Sequence, residues 1–370
     1  MPKHCKKASK RLSIRTILFH LIVGLMILGI VWNVAPLGTQ ALLWIAGLQQ
    51  PQAGFAYLKD SLTHANSPLE PDNYTGDYIA TDKQEQSPFD EPAAETFIIP
   101  DEKGDGGKVS EQQLTSGSTF VNGIAIRNRS DNQSLSLETE AIIPPNLIIE
   151  NTSEPQVLII HTHTTETYMP YYAGYYNDGD SPRSTDESLN VCTVGKAITA
   201  QLQAAGIGVI HDTTVHDYPR YTGAYTRSAE TVAKNLEKYP SIKVILDVHR
   251  DGIMSDETTK VKPTAVINGK KAAQMMLVMG VVDSEDIPHP KWRENLHFAM
   301  ALQSRLHTAY PGIIRPISCV SSRYNQQMSP AYILIEMGSE ANTLGEAVYS
   351  GQLLGKELGV LLNNFRETIH

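Results

Sequence analysis

The sequence predicts an α/β protein: one domain with a mostly parallel sheet flanked by helices, preceded by a transmembrane helix and a disordered tether. Beyond residue 154, short apolar runs alternate with helical patterns, which is typical of a largely parallel sheet with helices on both faces. Residues 16–34 carry no formal charge apart from His20 and are numerous enough to cross a bilayer core. Residues 61–116 are rich in Pro, Asp, Glu, Ser and Gly, so they contain too little apolar surface to offset the entropy of ordering.

The N-terminal segment has an asymmetric charge distribution. Residues 1–15 contain six Lys and Arg residues and no acidic residue, and the first acidic residue of the chain is Asp60. By the positive-inside rule, this predicts a cytoplasmic basic segment at 1–15, a single span at 16–34 and an extracytoplasmic remainder. A cleaved signal peptide is the alternative. The apolar run is longer than a typical signal core and no clean small-x-small site follows it, which favours an uncleaved anchor.

The remaining chain divides by composition. Residues 35–60 form a juxtamembrane segment, either a short helix on the outer membrane surface or an irregular connection. The linker at 61–116 would let a folded domain reach away from the membrane. Short alternating pieces at 117–154 predict a small β entry module, and 155–370 the main domain. Its predicted strands lie at 157–161, 208–211, 244–248, 264–267, 275–280 and 333–337, and its helices at 189–204, 226–238, 292–310 and 341–364.

Overall composition excludes two classes of protein. The net charge is -9, which argues against a general nucleic-acid-binding protein. The three cysteines are too few and too scattered for a disulfide framework or a Cys-rich zinc site. The chemistry must therefore come from other residues.

The main candidate site begins at residues 157–168. An apolar run without alternation, typical of a strand buried on both faces, leads directly into His161-Thr-His-Thr-Thr-Glu-Thr-Tyr168. Polar residues at the end of such a strand are where open α/β sheets place their sites. His163 and Glu166 have the HxxE spacing with which one turn can offer an imidazole and a carboxylate to a zinc ion. The alternative is that these residues only cap and solubilise the strand end.

Two further strands end in polar groups of the same kind. Residues 244–251 lead to His249, and residues 332–340 carry Glu336. Because the ends of parallel strands converge on one edge, these groups can meet those of the first strand. A mononuclear zinc hydrolase needs three protein ligands and a separate carboxylate base. His163, Glu166 and His249 supply the predicted ligands, and Glu336 the base.

Several positions have alternatives. Glu187, just before the first helix, rivals Glu166 as the carboxylate ligand. His161 is an alternative ligand or a supporting group, and on an extended strand it would face the same side as His163. The loop Arg323-Tyr-Asn-Gln-Gln-Met-Ser-Pro330 precedes the strand with Glu336. Its side chains either bind a peptide or sugar or serve the turn. The predicted substrate-binding residues are Arg250, Arg323, Asn325 and Gln326.

The motifs together resemble the stage II sporulation protein P family. The resemblance covers roughly residues 155 to 365 and rests on four motifs in order: 161–168, Asp247-Val-His-Arg-Asp251, 323–330 and Tyr332-Ile-Leu-Ile-Glu-Met-Gly338. It implies an N-acetylmuramoyl-L-alanine amidase-like fold, related to that of zinc carboxypeptidases. It also implies that His163 and His249 match metal ligands and that Glu336 matches the catalytic carboxylate. For the carboxylate that binds the metal, the resemblance leaves two candidates: Glu166 matches by its spacing from His163, and Glu187 matches by its position before a helix.

The functional expectations follow from this resemblance. It implies a membrane-anchored, zinc-dependent peptidoglycan hydrolase that cuts the amide between the muramic lactyl group and L-alanine, and also peptide cross-links. It implies action at the sporulation septum and engulfing membrane, with a glycan-cleaving partner similar to stage II sporulation protein D. Arg250 or Arg323 would bind a carboxylate of the stem peptide. The alternatives are a zinc carboxypeptidase or endopeptidase acting on stem peptides, and a non-catalytic wall-binding scaffold.

Overall fold

The computed structural model describes residues 105–114 and 120–366. The predicted basic segment, membrane span at 16–34, juxtamembrane segment and most of the linker lie outside the described residues. Within the described ranges, no helix is both long enough and apolar enough to cross a membrane.

The described residues form strands and helices in alternation. The strands are β1 (Gly107–Gln112), β2 (Ile126–Asn128), β3 (Pro155–Ile160), β4 (Tyr175–Tyr176), β5 (Gly208–His211), β6 (Val244–Asp251), β7 (Met254–Asp256), β8 (Thr259–Ile267), β9 (Lys270–Ala273), β10 (Met275–Gly280), β11 (Ile317–Val320) and β12 (Ala331–Ser339). The helices are α1 (Leu137–Glu140), α2 (Val191–Ala204), α3 (Ala224–Lys238), α4 (Trp292–Ala309) and α5 (Leu344–Asn363), with a 3₁₀ turn at Gln326–Met328.

The main sheet has seven strands in the order β2-β11-β10-β12-β6-β3-β5. Its neighbouring strands are parallel except for the antiparallel pair β10 and β12. The α/β class and the mostly parallel sheet are therefore confirmed. The order brings β3, β6 and β12 side by side at the centre, and these are the strands that lead to the candidate site.

Buried apolar side chains hold helices against the main sheet. Val232 of α3 belongs to one buried cluster with Leu158, Ile245 and Tyr332 of the central strands. Elsewhere α5 approaches α2 so closely that a Cβ on Gly355 would stand 2.8 Å from the carbonyl oxygen of Ile198. Glycine is therefore required at this helix crossing. The helix boundaries agree with the predicted ones to within three residues.

A second, five-stranded sheet corrects two predictions. It has the order β4-β1-β8-β7, with β9 also paired to β8. The strand predicted at 264–267 is therefore the end of β8 in this sheet, not part of the main one. The predicted linker at 61–116 is wrong at its C-terminal end, since residues 107–112 form β1 and pair with β8 over five positions. Val109 is the one buried residue of β1, so the pairing depends on backbone hydrogen bonds that composition does not reveal.

The predicted entry module at 117–154 is likewise not a separate unit. Its strand β2 extends the main sheet by pairing parallel to β11. The preceding backbone is fixed by Gln303 of α4, whose amide accepts from Ala125 N at 2.9 Å and donates to Ala125 O at 3.0 Å. The segment is therefore held in place by a buried amide from a distant helix. Its own sequence has no apolar pattern that would identify it as part of the sheet.

Candidate active site

Three neighbouring strands bring the candidate residues together. His163 and Glu166 follow the end of β3, His249 lies on β6, and Glu336 lies on β12 directly opposite His249 in the register of the two strands. The sheet therefore aligns the predicted base with a predicted ligand through backbone pairing alone. The turn after β3 carries the other two predicted ligands.

His249 stands between two carboxylates. Its Nε2 lies 2.9 Å from Asp247 Oδ1, and its Nδ1 lies 3.6 Å from Glu166 Oε2. Burial opposes a charge on this imidazole, but the carboxylates of Asp247 and Glu166 outweigh that effect and hold the pKa of His249 well above its usual value. The same contacts hold the pKa of Glu166 below its usual value against the opposing effect of burial.

His163 packs edge to face against His249, with 5.2 Å between the ring centroids. Burial and the neighbouring His249 lower the pKa of His163. Its Nδ1 is buried and has no hydrogen-bond partner among the described residues, and Asp217 Oδ2 lies 4.0 Å from it. The ring of Tyr221 is stacked on the imidazole at 4.5 Å and 11°, with its hydroxyl 3.1 Å from Nε2.

Glu336 combines a partly exposed side chain with a buried carboxyl oxygen. This oxygen, Oε2, makes no hydrogen bond within the described part of the chain. Burial raises the pKa of Glu336 to about 8, and the nearby His249 opposes the rise. A carboxyl group whose pKa lies near neutral can both take up and release a proton at physiological pH.

The two alternative ligands lie elsewhere. His161 directs Nδ1 to the carbonyl oxygen of Val248 at 2.8 Å and Nε2 to His211 Nε2 at 2.9 Å. The chain turns after β3, so His161 and His163 do not share the face that an extended strand would have given them. Glu187 is exposed, and its charge acts on His211 rather than on the two clustered histidines. Glu166 is therefore the carboxylate that the structure places with His163 and His249.

The four residues predicted to bind substrate make internal contacts. Arg250 is buried and donates to the carbonyl oxygens of Thr167 and Pro182. Gln326 is fully buried and bonds to the backbone of β10. Asn325 donates to Tyr225 O, and Arg323 to Pro288 O. These contacts fit the turn interpretation of residues 323–330, and a role of these four residues in substrate binding stays a prediction.

Sequence reasoning missed several residues around the histidines. Tyr225 lies across both imidazoles, edge to face with His163 and stacked with His249, and Tyr324 packs against it in turn. Tyr324 also has a positive φ of 47°, an uncommon conformation for an aromatic residue. Tyr324 stands within the motif 323–330, but nothing in the sequence shows that it packs against Tyr225, because the helix and the loop that carry them come together only in the fold.

The donor set is chemically suited to zinc. Two imidazoles and one carboxylate are ligands that catalytic zinc commonly takes. Two donors at tetrahedral positions around one zinc ion stand about 3.3 Å apart, close to the 3.6 Å between His249 Nδ1 and Glu166 Oε2. As the side chains stand, no group of three or more His, Cys, Asp or Glu residues in the described ranges is arranged closely enough to hold a metal ion.

Comparison with known proteins identifies sequence relatives. The family model for stage II sporulation protein P matches residues 62–358. Stage II sporulation protein P of Bacillus subtilis is 28% identical over 201 residues, which cover 51% of this chain and 47% of that protein. The match thus spans about half the length of the curated relative.

Solved structures of amidases also match at low identity. The N-acetylmuramoyl-L-alanine amidase AmiC2 of Nostoc punctiforme is 12% identical and covers 56% of this chain and 95% of that chain, with a TM-score of 0.34. The amidase Ami1 of Mycobacterium smegmatis is 11% identical and covers 58% and 99%, with a TM-score of 0.34. An amidase from Clostridium difficile 630 is 17% identical and covers 57% and 96%, with a TM-score of 0.31.

Proposed function

The chain belongs to the stage II sporulation protein P family, and from this premise we propose that it is a zinc-dependent peptidoglycan hydrolase, an N-acetylmuramoyl-L-alanine amidase. The observation that carries the proposal is the cluster at the ends of β3, β6 and β12. It combines a contact of 3.6 Å between His249 and Glu166, a neighbouring imidazole of His163, and a buried carboxyl oxygen of Glu336.

The residues of the cluster would have different roles in amide hydrolysis. His163, Glu166 and His249 would hold the ion, which when bound supplies Lewis acidity to the scissile carbonyl and the attacking water. Glu336 takes a proton from that water at Oε2 and returns it to the departing amide nitrogen. Tyr225 packs against both histidines, and Tyr324 packs against Tyr225. The raised pKa of Glu336 suits the second of its two proton transfers.

A substitution of Glu336 tests the proposal. Glu336→Gln keeps the shape of the side chain and removes its ability to carry a proton, so we expect digestion of purified sacculi to slow by about 10²- to 10⁴-fold. Zinc content should remain that of the unaltered chain, because Glu336 is not a ligand. Glu340→Gln is the matched control: it lies four residues further on, paired with Lys260 and Arg250, and should digest sacculi at close to the normal rate.

Product analysis separates the candidate reactions. An amidase leaves a free lactyl group on muramic acid together with an intact L-alanine amino terminus, whereas a carboxypeptidase or endopeptidase creates new ends within the stem peptide. Normal digestion by Glu336→Gln would refute the proton-transfer mechanism. Failure of the unaltered chain to bind zinc or to release any fragment would favour a wall-binding scaffold instead.

We propose further that residues 16–34 anchor the protein in the cell membrane with the hydrolase domain outside the cytoplasm. The support is the uncharged run itself and the six basic residues that precede it. In that position the domain would face peptidoglycan at the sporulation septum, alongside a glycan-cleaving partner similar to stage II sporulation protein D. Protease accessibility on the two sides of the membrane is the measurement that tests the anchor.

A further inference from the structure

Arg315 lies at the same edge of the main sheet as the candidate active site. It stands just before β11, and its backbone N donates to Met275 O at 2.8 Å, at the start of β10. Buried Gln303 donates to its carbonyl oxygen at 3.0 Å. In the register of β10 and β12, Met275 is paired with Met337, the residue after Glu336. Strand β10 therefore separates the backbone of Arg315 from the strand that carries Glu336.

The side chain of Arg315 reaches from β10 past β12 to the end of β6. Its Nη1 donates to Oδ2 of Asp251, the last residue of β6, at 3.1 Å, and β12 lies between β10 and β6 in the sheet. Burial is the main cause of the raised pKa of Glu336, and among its neighbours Asp251 adds to the rise and Arg315 opposes it. The guanidinium group thus approaches Glu336 from the side of β10, whereas the proposed ligands belong to β6 and to the turn after β3.

Most donors of this guanidinium group are not used within the protein. In the described ranges, the bond from Nη1 to Asp251 is the only hydrogen bond of the side chain, and 12% of the side chain is exposed. Asp251 is held in turn by the backbone N of Gly252, which donates to Oδ1 at 2.9 Å. Arginine carries five N–H donors in a planar fork. The contact with Asp251 orients that plane and leaves donors that can bind a carboxylate through two parallel hydrogen bonds.

Two other arginines near the site are placed differently. Arg250 is buried, and it donates to backbone oxygens and lies 3.7 Å from the carboxylate of Glu340. Arg183 lies beside the turn after β3, on the other side of the proposed ligands, and pairs with Asp217. Arg315 is therefore the arginine that combines unused donors with a position beside the proposed proton carrier.

We propose that Arg315 binds a free carboxylate of the stem peptide on the leaving-group side of the scissile amide. The inference rests on the proposed function. Glu336 must face the departing nitrogen, so the peptide that begins at this nitrogen extends past Glu336, away from the metal ligands and toward Arg315. The carboxylate that fits is the α-carboxylate of the γ-linked glutamate after L-alanine, two residues or about 7 Å from that nitrogen. Asp251 is then a positioning residue that orients the guanidinium group.

Two muramyl-peptide substrates that differ in one group test the inference. In one, the α-carboxyl group of this glutamate is free, and in the other it is a carboxamide. We expect the full chain loaded with zinc to cleave the carboxylate form with a kcat/KM about 10- to 100-fold higher, because a bidentate bond to a charged group is lost in the amide. Arg315→Met should abolish this preference. A general effect on Glu336 would slow both substrates equally and leave their ratio unchanged.

A second variant and a control complete the experiment. Arg315→Lys keeps the charge beside Asp251 but loses the planar fork, so its preference should be intermediate. Arg293→Met is the matched control, because Arg293 is exposed on α4 and pairs with Glu140, and it should keep the full preference. Equal cleavage of both substrates by the unaltered chain, or a full preference in either folded variant of Arg315, overturns the inference and leaves the proposed function standing. Cleavage of neither substrate by the unaltered chain overturns both.

Discussion

Replacing Lys262 with methionine tests how much a buried cation contributes to the stability of the contact between the second sheet and α5. The side chain of Lys262 has no exposed surface. Its ammonium group lies 2.6 Å from Glu346 Oε1 in the first turn of α5 and 3.2 Å from Glu111 Oε2 on β1. Without the cation, the carboxylate of Glu346 stays buried and loses the ammonium group that is paired with it.

The expected loss can be worked out from this burial. Removing one partner of a buried ion pair costs about 3–5 kcal/mol, because the other charge remains desolvated and uncompensated. For a domain of this size, 1 kcal/mol corresponds to about 2–4 °C in melting temperature. Lys262→Met should therefore lower the melting temperature by about 10 °C.

Lys271→Met provides the matched control for this measurement. Lys271 pairs with the same Glu111 oxygen at 2.8 Å, but its side chain is 49% exposed. An exposed pair contributes at most about 1 kcal/mol. In urea or thermal unfolding of the full chain, the double variant Lys262→Met with Glu346→Gln should recover most of the stability, since it removes both charges. Equal losses for Lys262→Met and Lys271→Met would refute the reasoning from burial.

Two further predictions concern acid stability and membrane topology. Burial lowers the pKa of His289 to about 4, so between roughly pH 6.5 and 4 the unfolded chain binds a proton that the folded chain does not. The contribution of neutral His289 to the free energy of unfolding is then fully present above pH 6.5, and this free energy falls by up to about 3 kcal/mol as the pH drops to 4. His289→Leu should make the free energy of unfolding depend less on pH in this range. An unchanged pH dependence in the variant would count against this role of His289. For the anchor, protease added outside intact protoplasts should digest the chain beyond residue 34 and leave residues 1–15 protected, whereas full protection of the domain would reverse the proposed orientation.

Local sequence determined the central strands and the helices. The runs that lead to His161, His249 and Glu336 are apolar on both faces, and this pattern identifies a buried strand without knowledge of its neighbours. Gly206 follows the first long helix with a φ of 75°, a conformation that glycine adopts easily. The HxxE spacing of His163 and Glu166 also depends only on residues within one turn.

Only the tertiary structure decided what surrounds these residues. Whether Glu166 or Glu187 accompanies the histidines depends on how the chain turns after β3, which spacing leaves open. Strand β1 was missed because its pairing with β8 consists of backbone hydrogen bonds, and these have no signature in a polar sequence. Asp217 and Tyr221 reach His163 from more than 50 positions away. Contacts of that kind form when the whole core packs, so the sequence determined which groups could do the chemistry and the fold decided which atoms of those groups face one another.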